Sequence, residues 1–219
     1  MYCPEAFAET RPEVLRALIQ QYPLATVVSM GSNGLEANPI PLYLVASEGS
    51  QLVLQGHIAR ANPLWREIVP DNEVLVIFQG PQHYISLSWY ATKAETGKVV
   101  PTWNYAVVQA HGPLQVRDDP DWIRQQMVTL TAQQEKDFTL PWQVEDAPQD
   151  FTERLIGQVV GIEIPISRWM GKWKVSQNQP KCNQESVAAH LTQQGGVHSA
   201  AMADLVLSRR TSGKKEPVG

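Results

Sequence analysis

The sequence predicts a largely antiparallel β-barrel with helices packed outside it, an α+β chain. Short apolar segments recur along it, bounded by Gly, Pro and Asn turns. Most of the connections between them are shorter than the dozen or so residues a parallel crossover needs, so neighbouring strands run antiparallel. Roughly six such strands, with helical patterns between them, fit a closed barrel with helices on its outside.

The chain has 219 residues, 43% hydrophobic and 18% charged, which is ordinary for a globular protein. A chain of this size buries about 70% of its unfolded surface and needs no covalent staples. Its two cysteines, Cys3 and Cys182, lie near opposite ends without a CxxC partner. That excludes a disulfide framework or a structural zinc site. No apolar run approaches the roughly 18 residues that span a bilayer. The N-terminus has no basic stretch followed by an apolar one, so no signal peptide is expected and the chain is placed in the cytoplasm. The net charge of −4 argues against a surface that grips DNA throughout.

The first helix is signalled by Thr10 and Glu13 as a capping box and by Pro12 at an early position. Val14, Leu15, Leu18, Ile19 and Tyr22 form its apolar stripe, and Pro23 stops it. Residues 25–30 read as a strand, followed by the turn Gly31-Ser-Asn-Gly34. Residues 37–45 form a second strand, and because Pro39 and Pro41 cannot donate to a ladder it sits at an edge or faces something other than a neighbouring strand. Residues 51–57 form a third. Asn62 then caps a short helix with Pro63 at its first position. Residues 73–79 read as a buried strand, bent by Gly80-Pro81 and continued over 83–86. Residues 99–116 read as a strand pair or one bent strand, broken near Gly112-Pro113. Asp119-Pro120 opens a helix to about Gln134, and a second runs from Ala147-Pro148 to about Ile156. Residues 159–175 return to strand; Ile162, Ile164 and Ile166 alternate there with Glu163, Pro165 and Ser167. Asn183 opens a last helix that Gly195-Gly196 ends. Residues 1–196 are expected as one domain. Residues 197–219 are expected as a C-terminal extension, flexible at its polar, basic end.

Four segments can carry chemistry. Gly56-His-Ile-Ala-Arg-Ala-Asn-Pro63 places His57, Arg60 and Asn62 where a strand enters a helix, an arrangement suited to an anion. It reads equally as a surface turn with a solvated arginine. In Val100-Pro-Thr-Trp-Asn-Tyr-Ala106, Thr102 and Asn104 share one strand face and Trp103 and Tyr105 the other. Either the polar face binds a heterocycle, or it is simply wet and the rings are core. In Gly171-Lys-Trp-Lys-Val-Ser-Gln-Asn178, Lys172, Lys174 and Ser176 share a face that can hold phosphate or protect a sheet edge. His83-Tyr-Ile-Ser-Leu-Ser-Trp-Tyr90 is a stacking platform, a contact between copies, or core. HExxH, GxSxG, GxGxxG and P-loop patterns are missing.

These segments, with Met1-Tyr-x-Pro-x-x-Phe7 and Val99-Val-Pro-Thr-Trp-Asn-Tyr105, occur in the order that resembles PaiB-type FMN-binding negative transcriptional regulators. The resemblance runs from Met1 to about Leu191. One departure is Leu87, where the family usually has proline. The resemblance implies an FMN-binding split barrel that forms a homodimer, with FMN in a groove built by both copies. On this basis Arg60, Asn62, Lys172 and Lys174 are candidates for the phosphate. Thr102, Asn104, Gln177 and Asn178 are candidates for the ribityl chain and ring edge. Asn38, Pro39 and Ile40 are placed along the isoalloxazine, with His57 and Trp103 packed near it.

Three functions follow. The first is an FMN-binding regulator that lowers expression of other genes, with DNA as a weakly supported partner because no helix-turn-helix signature is present. The second is an FMN-dependent oxidoreductase or flavin reductase, the flavin carrying the redox chemistry. The third, ranked last, is a haem protein using His57, His83 or His111, which no residue spacing supports. No membrane partner is expected.

Overall fold

The computed structural model describes residues 1–32, 34–46, 51–69 and 72–209. In chain order the elements are β1 (Ala8–Glu9), α1 (Pro12–Gln21), β2 (Leu24–Gly31), β3 (Gly34–Pro41), β4 (Tyr43–Ala46), β5 (Leu52–Ala59), α2 (Leu64–Glu67), β6 (Glu73–Ile85), α3 (Lys93–Thr96), β7 (Thr102–Pro113), β8 (Gln115–Arg117), α4 (Pro120–Glu135), α5 (Gln149–Ile156), β9 (Val159–Pro165), β10 (Arg168–Lys174), α6 (Lys181–Gln194) and α7 (Val197–Ser208). The chain divides into two units. The first holds Met1–Val14, Gln79–Val108 and Met170–Gly219; the second holds Leu15–Phe78 and Gln109–Trp169.

In the second unit, β2 pairs with β3 and with β6, and a four-stranded sheet runs β4-β5-β9-β8. Every pairing described there is antiparallel. β3 is an edge strand: Pro39 and Pro41 lie opposite Thr26 and Leu24, and neither proline is asked to donate outward. The expected strand over 37–45 is interrupted at Leu42, whose N–H leaves the ladder for Pro23 O (2.9 Å). Alternating burial on β2 (Ala25, Val27) and β6 (Val74, Val76, Phe78) joins Leu15, Leu18 and Ile19 of α1 in the core. On β9, Val160, Ile162 and Ile164 are fully buried. α4 begins as expected: the Asp119 carboxylate accepts from Asp121 N (2.9 Å) and Trp122 N (3.4 Å), with Pro120 in the first turn. Trp122 lies against Gly161 of β9, where an added Cβ would come within 2.3 Å of the indole.

The first unit runs β1-β10-β7-β6 in strand order. Glu9 and Gly171 pair in register across β1 and β10. At the entry to α1 the hydrogen bond runs from Arg11 N to Glu9 Oε1 (2.9 Å), in place of the expected Thr10–Glu13 box. Glu9 is 3% exposed and holds Arg11 through Nε (3.0 Å) and Nη2 (2.8 Å). It also pairs with Arg209, whose guanidinium lies 5.5 Å over the Trp173 ring. One buried carboxylate therefore ties the first strand to the residue after the last helix.

The late helix starts at Lys181, not at Asn183. Pro180 presets the entry and its carbonyl takes Asn183 N (2.9 Å). The Asn183 side chain is drawn into a tertiary contact instead, accepting from Thr92 N (3.0 Å) and donating to Thr92 Oγ1 (3.0 Å). Gly195 and Gly196, at φ 72° and 89°, end the helix as expected. α7 is a helix where an extension was expected. Ser199, Met202, Ala203 and Val206 make a buried i, i+3, i+4, i+7 stripe on it, and it packs on α6. The turn residue Asn33 and the basic end 210–219 lie outside the described residues.

Two measurements check these contacts. A Cβ on Gly112 would sit 2.0 Å from Pro165 O, a backbone atom with little room to yield. Gly112→Ala should therefore cost about 1–3 kcal/mol of stability, seen as a lower urea midpoint with the slope unchanged. Burial raises the Glu9 pKa, but the Arg11 side-chain and backbone hydrogen bonds and Arg209 outweigh it and hold it at about 2, below the ordinary 4.5. The folded state thus gains stability from this group above pH 4.5 and loses it as pH falls toward 2. Glu9→Gln should be less stable at pH 7 by on the order of 3 kcal/mol. Its acid unfolding curve should be flatter through that window.

Candidate functional site

The expected site residues divide between the two units. In the second unit Asn38 and Asn62 meet, Asn62 Nδ2 donating to Asn38 Oδ1 (2.9 Å) while its Oδ1 accepts from Leu64 N (3.0 Å). Asn62 thus does the capping work expected of it, with Pro63 in helical conformation after it. Pro39 is exposed on β3 and Ile40 is buried at 3%. His57 Nδ1 faces Gln126 Oε1 at 2.6 Å, which requires the proton on Nδ1. Gln126 is 2% exposed and its Nε2 has no partner among the described residues.

Arg60 is about one-third exposed, at 34% of its side chain, yet well partnered. Its Nη1 and Nη2 grip both oxygens of Asp118 (3.0 and 2.6 Å), Nε donates to Gly157 O (2.9 Å) and Nη2 also to Val159 O (2.9 Å). The hydrogen bonds it donates to Asp118 raise its pKa above the ordinary arginine value. Four of its five N–H donors are engaged, two with Asp118 and two with the carbonyls at the start of β9. Arg66 is free to stack, its Cζ lying 4.5 Å from the Trp65 ring.

In the first unit, β7 and β10 bring the other candidates together. Lys174 Nζ donates to Thr102 Oγ1 and to Trp103 O (2.8 Å). Asn104 Nδ2 donates to Ser176 Oγ (2.9 Å). Asn104 is fully buried, its Oδ1 has no partner among the described residues, and Trp103 is 54% exposed. The polar residue is inside and the indole outside, the reverse of a core-ring arrangement. Ser176 departs from strand geometry with φ 64°, which turns its hydroxyl toward Asn104. Gln177 is spent locally: Oε1 accepts from Val175 N (2.7 Å) and Nε2 donates to Ala6 O (3.1 Å) and Trp173 O. Asn178 is exposed.

Lys172 is the most buried lysine of the pair, at 8% exposure. Its Nζ donates to Tyr2 O (3.0 Å) and lies 5.6 Å from the Tyr2 ring and 5.3 Å from the Tyr105 ring. Among the described residues no carboxylate pairs with either lysine. Burial lowers the Lys174 pKa from 10.5; Tyr105 opposes this and Lys172 adds to it. Tyr2 and Tyr105 are the residues the sequence reading missed. Tyr2 belongs to the Met1-Tyr-x-Pro-x-x-Phe7 pattern, which held the signal, but a strand far along the chain had to be folded against it before its role showed.

The comparisons with known proteins agree with this chemistry. Residues 1–168 match the family described as "Putative FMN-binding domain". The chain belongs to this PaiB-type FMN-binding family. An uncharacterized protein of Emericella nidulans is 32% identical over 95% of this chain and 97% of that one. The protease synthase and sporulation protein PAI 2 of Bacillus subtilis is 28% identical over 94% and 96%. Among solved structures, the FAD and heme binding protein from Mycobacterium smegmatis superposes with a TM-score of 0.58 at 19% identity, over 87% of this chain and 80% of that one. The flavocytochrome Anf3 from Azotobacter vinelandii gives 0.54 at 13%, over 77% and 69%. The fold is accordingly the flavin-binding split barrel, and the cofactor of this family member is FMN.

The residues present fit that group. Two ammonium groups with only neutral oxygens and rings around them suit a dianionic phosphate. Asn104 Oδ1 offers an acceptor with nothing to accept. FMN, when bound, supplies one- and two-electron redox chemistry; the chain supplies charge and position.

The lowered pKa gives Lys174 a larger free-amine fraction than an ordinary lysine has at the same pH. With an acylating reagent below its ordinary pKa of 10.5, peptide mapping should find Lys174 labelled well ahead of its burial rank. Saturating inorganic phosphate should suppress that labelling. Equal yields with and without phosphate would remove Lys174 from the site.

Proposed function

We propose that this FMN-binding chain works in the cytoplasm as a homodimeric regulator that lowers expression of other genes, with the flavin phosphate on Lys172 and Lys174. The observation that carries the site is the pair of uncompensated ammonium groups on β10. The expected phosphate role of Arg60 fits less well, since its donors are already engaged within its own unit.

The dimer reading draws support from exposed rings beside the site strand. Tyr84 and Trp103 are 46% and 54% exposed and pack edge to face, 6.0 Å apart. Large exposed aromatics of this kind are enriched where protein surfaces meet. The regulatory reading rests on family membership and on the sporulation protein PAI 2, whose name ties it to a developmental programme. The net charge of −4 favours regulation without broad DNA contact. Among the described residues no helix is long and apolar enough to cross a membrane.

Flavin titrations separate the phosphate contact from the rest. Lys172→Met and Lys174→Met should each weaken FMN about ten- to a hundredfold, the worth of one charge-assisted contact, and leave riboflavin unchanged. FMN should also bind more weakly as pH rises through the Lys174 pKa, which lies below 10.5, because only the ammonium form attracts phosphate. Mass in solution should correspond to two copies. Gel shifts at low salt decide whether promoter DNA is a direct partner.

A further inference from the structure

We infer that residues 1–7 form a strap that occupies Lys172 in place of an anion and must yield when phosphate binds. This rests on the reading of the lysine pair as the phosphate site. The Lys172 ammonium is directed at Tyr2 O (3.0 Å), a neutral stand-in for the oxygen of an anionic ligand. The Tyr2 ring lies 5.6 Å from Nζ and is itself 84% exposed, so Tyr2 is the outermost layer over a nearly buried cation. A carbonyl and two ring faces solvate an ammonium, but a phosphate oxygen competes with them on favourable terms.

The strap is built to move. None of its residues is buried. Downstream it is fastened by Gln177 Nε2 on Ala6 O (3.1 Å) and by the β1–β10 pairing from Ala8 onward. Upstream of Ala6, its polar holds on the rest of the unit among the described residues are the Lys172–Tyr2 contact and a weak thiol contact from Cys3 Sγ to Gly171 O at 3.8 Å. Releasing the first therefore frees residues 1–5 about a hinge near Ala6, with the fold of β10 left intact. A ligand that must displace an internal contact binds with an affinity lowered by that contact, so the strap sets how tightly the phosphate is held.

Cys3 reports the motion in the full-length protein. It is half-buried beside Gly171 O, and Cys182 is exposed on α6 and serves as an internal reference. Maleimide alkylation followed by peptide-resolved mass spectrometry would give the Cys3 rate relative to Cys182. FMN and inorganic phosphate should each raise the Cys3 rate several-fold, and riboflavin should leave it at the ligand-free value. Lys172→Met should raise it without any ligand. A Cys3 rate unchanged or slowed by FMN in the unmodified chain, while Lys172→Met still weakens FMN, overturns the strap alone. FMN affinity indifferent to Lys172→Met overturns the phosphate reading and the displacement with it. The comparison of FMN with riboflavin needs no variant, so misfolding of one does not spoil it.

Discussion

An ammonium group withdrawn from water without a counter-ion is costly, and the first unit holds two of them on one strand. Lys172 and Lys174 are two residues apart on β10, and their nitrogens reach only carbonyls, a hydroxyl and ring faces. A purely structural lysine would be expected at the surface or against a carboxylate. Retaining both in this state makes sense where a ligand brings the missing charge. The rest of the unit is arranged around that strand. Tyr2 covers one lysine, Thr102 and the Trp103 carbonyl hold the other, and Trp173 between them is fixed beneath Arg209.

The Glu9 knot explains why such a strand stays in place. Like charges side by side repel, and a short β1 of two residues gives little ladder to resist them. A buried carboxylate holding two arginines, one near the start of the chain and one at residue 209, clamps β1 to α7 and brings a guanidinium onto the Trp173 ring. The carboxylate's own desolvation is offset by hydrogen bonds from both guanidinium groups and a backbone N–H. The negative charge of Glu9 on the neighbouring β1 is thus taken up by the two arginines, and the lysines of β10 are left without a carboxylate.

Much of this fold was legible in the sequence because its signals are local. Prolines in β3 mark an edge, Asp119-Pro120 caps α4, and Gly195-Gly196 stops α6. What escaped depends on partners far along the chain. Asn183 looks like an N-cap until Thr92 claims its side chain. α7 follows a break and has a weakly amphipathic sequence, Val-His-Ser-Ala-Ala-Met-Ala, so its stripe of small and apolar residues reads as a tail until α6 is there to bury it. The strand-face rule put Thr102 with Asn104 and Lys174 with Lys172 and Ser176, and the hydrogen bond from Lys174 to Thr102 joins the two sets. The alternation ends at Ser176, where φ is positive, and at Asn104 the faces are as expected with the polar one buried and Trp103 exposed.

Arg60 shows how much a cation's existing partners bear on a phosphate role that residue chemistry alone suggests. Five N–H donors at a strand-to-helix turn are what an anion needs, and they are equally what a bare loop needs to close. Here Gly157 and Val159 present carbonyls at the start of β9, and Asp118 supplies the counter-charge beside them. Removing the arginine for a ligand would strand all three acceptors. The lysines on β10 face the opposite balance, since their neutral partners lose little when an anion arrives. The choice between the two cationic groups is therefore set by what each leaves behind on turning to a ligand, a quantity that residue type does not reveal and hydrogen-bond partners do.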